Sequence, residues 1–148
     1  MQNNTTTQQA NKLIFLGLIL FLLGLIIGLF VQNMANPRMA LSAHLQGLLN
    51  GMFLIILGLI WSRLVLSKKQ LNATFGLTIY GTFANLAAVI IAASTGFGKM
   101  MPIAGGKEGT GIWEGLISFL LVSLSLSMLV VCVIVIIGFY KNMKQSTN

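Results

Sequence analysis

The sequence predicts an all-α protein, a four-helix transmembrane bundle lying in the membrane as one domain over residues 1–148. Three observations carry that expectation. Hydrophobic residues make up 56% of the chain and charged residues only 7%, with a mean hydropathy of +0.90; a water-facing surface needs about 25% charged residues. The apolar residues fall into four runs, each long enough to cross a hydrocarbon core of about 30 Å. The basic residues stand between and beyond those runs, not inside them.

The first run, residues 13–31, has no polar side chain at all. Gln32-Asn33-Met34 offers no small-residue cleavage site, so the run is expected to stay as a permanent span. Its Gly24-x-x-x-Gly28 matches the pattern that lets two membrane helices approach closely, and helix packing is the expected role. The second run, 41–61, is closed by Arg63. The third, 71–93, is richer in small and polar residues: Thr74, Thr78, Gly81, Thr82 and Asn85 recur at helical spacing as one polar stripe. Tyr80 falls near mid-membrane, where its hydroxyl needs a partner. The fourth run, 112–140, is closed by Lys141 and Lys144; its serines are expected to bond back to their own helix carbonyls. The polar ends, 1–11 and 145–148, are expected to fray. Residues 96–111, rich in glycine, form the one long loop.

Four spans place both termini on the same side. Lys12, Arg63, Lys68, Lys69, Lys141 and Lys144 share that side, against Arg38, Lys99 and Lys107 with both acids on the other. The excess of basic residues assigns the termini to the cytoplasm and the protein to the inner membrane. Trp61, Trp113 and Tyr140 fall at span ends, as an aromatic belt requires.

Composition also excludes chemistry. There is no Asp, and Glu108 and Glu114 are the only acids; His44 and Cys132 are single. One chain therefore holds no disulfide, no His/Cys zinc site, no EF-hand and no paired-carboxylate glycosidase. A net charge of +7 spread around apolar runs reads as topology, with no nucleic-acid partner. No serine sits in a nucleophile elbow. An isomerase, or a binding and transport role, remains.

At about 1.5 Å per residue, His44, Asn50, Asn85 and Glu114 all fall in the outer half of the membrane. Ionisable or polar residues there are functional candidates by default. Each also has a plainer role: an interfacial hydrogen bond for His44, interhelical contacts for the two Asn, a helix-start acid for Glu114. Six residues separate His44 from Asn50, about 120° around a helix, so they share only a broad face. A lone imidazole in an apolar setting suits an axial ligand to haem iron, with the second axial position left open.

The run Asn36-Pro37-Arg38-Met39-Ala40-Leu41-Ser42-Ala43-His44-Leu45-Gln46-Gly47, continuing through Asn50-Gly51-Met52-Phe53, resembles the hydroxylaminobenzene mutase family. Tyr80-Gly81-Thr82-Phe83-Ala84-Asn85, Met101-Pro102-Ile103-Ala104 and Glu114 fit it too, and the resemblance covers residues 13–140. It implies a membrane isomerase that turns a small aromatic substrate, an arylhydroxylamine, into a 2-aminophenol. The His44-x5-Asn50-Gly51 element is similar to the related styrene oxide isomerases, which implies a homotrimer with haem b held by His44 and Asn50 near the substrate oxygen. The acid and tyrosine of that second family have no counterpart; the aligned positions are Gly81 and Val89, with Tyr80 a neighbour. This second resemblance reaches His44 and Asn50 and no further. Joined with the reading of the residues, it leads to the expectation that iron on His44 acts as a Lewis acid, that Asn50 and Asn85 hold the substrate, and that Tyr80 or Glu114 carries the proton. Competing readings are an epoxide isomerase, a structural membrane subunit, and a small multidrug-type exporter, which would need an acid absent from residues 13–31.

Overall fold

A computed structural model of the chain describes residues 2–109 and 111–146. Four helices run through it: α1 (Gln2–Leu29), α2 (Pro37–Ile60), α3 (Lys68–Thr95) and α4 (Ile112–Ser146). All four are long and apolar enough to cross a membrane.

Each helix outruns its apolar core, and the local chemistry explains where it stops. The polar residues before Lys12, expected to fray, continue α1 from Gln2. Gln9 shows why: its side-chain oxygen accepts the Trp61 indole N–H at 3.2 Å, and its amide donates to Asn72 at 2.8 Å. This contact ties α1, the turn after α2 and the start of α3 together at one end. At α2, Pro37 supplies the first helical residue, and Asn36 caps the helix by accepting from the N–H groups of Arg38 and Met39. Ser67 and Gln70 form a capping box at the start of α3, and Gly96, with φ +75°, ends it in the left-handed conformation.

The helices lie side by side in chain order. α1 packs along α2, α2 along α3, and α3 along α4; α1 meets α3 slightly, and α4 also meets the turn after α2. The α1–α2 contact is backbone against backbone. A Cβ added at Gly47 would stand 2.5 Å from the Gly24 Cα, and one at Gly51 2.7 Å from the Phe21 N. Small residues are what permit this approach in a membrane, where dispersion contacts replace the hydrophobic effect as the attraction between helices. α4 is the least covered helix, with only 11% of its most apolar stretch buried.

Trp61 departs from expectation. It is fully buried, set edge-on to Phe75 at 6.3 Å between ring centroids, with its N–H on Gln9. It is a core residue, because its one polar atom finds a partner inside. Trp113 and Tyr140 are about half exposed, as belt residues are. The polar stripe of α3 faces inward: Thr74, Thr78, Gly81 and Thr82 are all buried.

Candidate functional site

His44 lies two turns into α2, on the flank that packs against α1. Its Nδ1 sits 2.8 Å from the carbonyl oxygen of Gly24. A carbonyl only accepts, so Nδ1 carries the proton and donates it. Nδ1 is thus the nitrogen that orients the ring, and Nε2 is the one left for a ligand. Gly28, one turn along α1, lies against the imidazole; a Cβ there would stand 2.7 Å from Nδ1. The Gly24-x-x-x-Gly28 element therefore packs helices at Gly47 and seats the histidine as well.

The amides occupy the other flank of α2. Asn50 donates to the Thr82 carbonyl at 3.4 Å, and Asn85 donates to the side-chain oxygen of Gln46 at 2.9 Å. Gln46 precedes Asn50 by four residues, so the two share one helix face toward α3. Gln46 is a polar residue of the site that sequence reasoning passed over, although the same one-turn spacing from Asn50 marks it. The Asn85–Gln46 pair is half-buried, and each amide keeps further hydrogen-bonding capacity beyond the bond it makes here. Deeper along α3, the Thr82 hydroxyl bonds back to the Thr78 carbonyl, whereas the Thr74 and Thr78 hydroxyls are fully buried and make no hydrogen bond among the described residues.

Tyr80 stands on a third face. Its hydroxyl pairs with Ser123 of α4 at 2.6 Å. Ser123 in turn donates to the Phe119 carbonyl at 2.7 Å, so the tyrosine proton points at the serine oxygen. Ser125 bonds back to Leu121 in the manner expected of a serine in a membrane helix.

Glu114 is buried, and both its oxygens are engaged. They accept the N–H groups of Gly98 and Lys99, each at 3.1 Å, and of Gly109 at 3.2 Å. These bonds pull the long loop onto the start of α4. Within that loop Phe97 and Lys107 form a parallel bridge, and the Asn36 amide reaches across to the carbonyls of Ala104 and Gly105. In Glu114→Gln the charge is lost with the shape kept. Charge-assisted bonds of this kind contribute about 1.5–3 kcal/mol each, so hydrogen exchange in residues 97–109 is expected to accelerate by more than about tenfold. Unchanged exchange would show that the carboxylate does not hold the loop.

The five residues singled out in sequence thus fall on separate surfaces of one chain. His44 faces α1, Asn50 and Asn85 lie between α2 and α3, Tyr80 lies between α3 and α4, and Glu114 lies under the loop. One surface cleft, about 580 Å³, is lined by Asn36, Arg38, Thr95, Phe97 and Lys107, and by none of the five. A second, about 420 Å³, runs between Leu41, Ser42 and Leu45 of α2 and the loop segment ending at Ala104, one turn from His44. Among the described residues no three His, Cys or acidic side chains converge on a point. A haem iron asks for a single axial nitrogen, and His44 with Nδ1 tied to a backbone carbonyl has the donor chemistry for it.

The chain is 53% identical to the hydroxylaminobenzene mutase HabB of Ectopseudomonas oleovorans over 137 residues, covering 91% of this chain and 84% of the relative. It is 47% identical to HabA of the same organism over 127 residues, 84% of this chain and 94% of the relative. No solved structure matches it significantly. The styrene oxide isomerase family model matches residues 9–140, which takes in all four helices. The chain is an isomerase and belongs to the styrene oxide isomerase family.

Proposed function

We propose that the chain converts arylhydroxylamines, hydroxylaminobenzene among them, to 2-aminophenols by moving the hydroxyl group from nitrogen to the ortho ring carbon. The observation that carries this reading is the 2.8 Å contact between His44 Nδ1 and the Gly24 carbonyl, which turns Nε2 away from that bond in a chain whose one helical acid, Glu114, is held by loop amides. The two relatives named as hydroxylaminobenzene mutases support the substrate class. The reaction balances within one molecule. The N–O bond breaks, a C–O bond forms at the ortho carbon, and the displaced ring proton ends on nitrogen.

His44 would hold haem b through Nε2. Bound there, the group supplies a Lewis acid that withdraws electron density from the hydroxylamine oxygen. The remaining work falls to the chain. The Asn50 amide, anchored on the Thr82 carbonyl, leaves its side-chain oxygen to accept from the substrate. Asn85 is held by Gln46 and offers its own oxygen in the same layer. Tyr80 keeps a free lone pair beside its bond to Ser123 and can carry a proton; both Glu114 oxygens are already taken by amides. Apolar surroundings keep bulk water from trapping a ring-delocalised cation.

We read the row of helices as one subunit of a homotrimer in the inner membrane, with both termini in the cytoplasm. The apolar flanks that α1 and α4 leave exposed support this, with Phe15, Leu18 and Leu22 on the first and Phe119, Leu126 and Leu129 on the second. A second copy is also the means by which His44 and an amide or tyrosine from separate surfaces meet around one substrate. The test uses hydroxylaminobenzene labelled with 18O. Membranes holding the protein are expected to release 2-aminophenol with the label retained. Absence of 2-aminophenol overturns the reading, and product labelled from solvent water overturns the transfer within one molecule.

A further inference from the structure

We propose that Gly24 and Gly28 of α1 are positioning residues for His44: together they open a window onto the Gly24 carbonyl, through which the imidazole is fixed as its Nδ1–H tautomer. In a helix each Cα–Cβ bond leans toward the N-terminus, so the side chain at one position covers the turn before it. Residue 28 is the one that would shield the carbonyl of residue 24. In a regular helix that carbonyl already accepts the N–H of residue 28. Its second lone pair is open to the side only because position 28 has no side chain, and His44 occupies it at 2.8 Å.

The two glycines do different things. A Cβ at Gly24 would stand 2.8 Å from the Leu48 N and 3.0 Å from the Gly47 Cα, so its absence sets how near α2 comes. The three atoms nearest a Cβ at Gly28 all belong to the imidazole, at 2.7 Å for Nδ1, 3.0 Å for Cε1 and 3.4 Å for Cγ. Gly24 sets the distance and Gly28 sets the access. A Cβ 2.7 Å from Nδ1 forces a shift, and the atom it displaces is the donor itself. A free imidazole side chain favours the proton on Nε2. Reversing that preference requires an acceptor aimed at Nδ1, and the window supplies it. What Nε2 then does rests on the function proposed above; the tautomer does not.

The chain has one histidine, so ring-15N labelling gives a single pair of nitrogen resonances. The full chain is extracted in detergent with no haem added, at a mildly alkaline pH. The expected spectrum has the proton on Nδ1 and none on Nε2. In Gly28→Ala the proton is expected to move to Nε2 as the major form. Gly76→Ala is the control, since a Cβ there meets nothing within 4 Å, and it is expected to keep the parent tautomer. A proton on Nε2 in the parent chain overturns the proposal even if Gly28→Ala does not fold. An unchanged tautomer in a folded Gly28→Ala overturns it as well. A Gly28-dependent Nδ1–H tautomer in a chain that forms no 2-aminophenol overturns the proposed function and leaves the window standing.

Discussion

In His44→Ala, formation of 2-aminophenol is expected to fall by at least about a thousandfold, the equivalent of about 4 kcal/mol of transition-state stabilisation. No other imidazole exists in the chain to take its place. The same variant is expected to lose any Soret absorption seen in the parent protein. Its stability should change little, because the ring is only half-buried and the Gly24 carbonyl keeps its partner within α1. The measurement is product formation per mole of folded protein, with the absorption spectrum taken on the same sample. Activity within tenfold of the parent would remove His44 from the chemistry and leave it as a helix-packing residue.

The second large effect is on folding. Gly47→Ala adds one methyl group where the nearest atoms are the Gly24 Cα at 2.5 Å, the Gly24 N at 2.9 Å and the Leu20 carbonyl oxygen at 3.3 Å. All three are backbone, so no side chain can rotate out of the way. α1 has to move off α2 along much of its length. Overpacking of a tight core costs about 1–3 kcal/mol, and the upper end is expected here, with the His44–Gly24 bond stretched as a further consequence. Thermal aggregation in detergent measures it. Gly76→Ala makes the contrast: replacing an exposed helical glycine by alanine is expected to stabilise by up to about 1 kcal/mol. An unchanged midpoint in Gly47→Ala would mean that the two helices are not in backbone contact.

Hydropathy made the four helices readable, because an apolar run of this length has few alternatives in a chain so poor in charge. The ends were less readable. Whether polar residues 2–11 continue α1 depends on Gln9 meeting Trp61 and Asn72, residues 52 and 63 positions away. The same contact buried Trp61, which by sequence position belonged to the aromatic belt. For the site, residue type singled out His44, Asn50, Asn85, Tyr80 and Glu114, and depth arithmetic placed the first three and Glu114 in the outer half. Side-chain partners were beyond it. That Asn85 meets Gln46, that Tyr80 meets Ser123, and that Glu114 serves three loop amides are facts about rotation around each helix, which an amphipathic pattern fixes only where one face is plainly polar. Gly24-x-x-x-Gly28 was read as a packing motif because small-residue spacing says that backbones approach, and not which side chain uses the gap.

The side-by-side order of the helices bears on how the protein is made. Every helix after the first packs on the one synthesised just before it, so each arrives in the bilayer with its partner already in place. Chains emerge N-terminus first and domains assemble as they appear. The α1–α2 hairpin is joined by a short turn and closed by glycines of its own two helices. All the residues of its glycine contact are synthesised before Lys68, and with them the seat of the only histidine. A truncated chain ending after α2 should therefore still bury Gly24 against Gly47, and the second half of the protein is added to a wall that already stands.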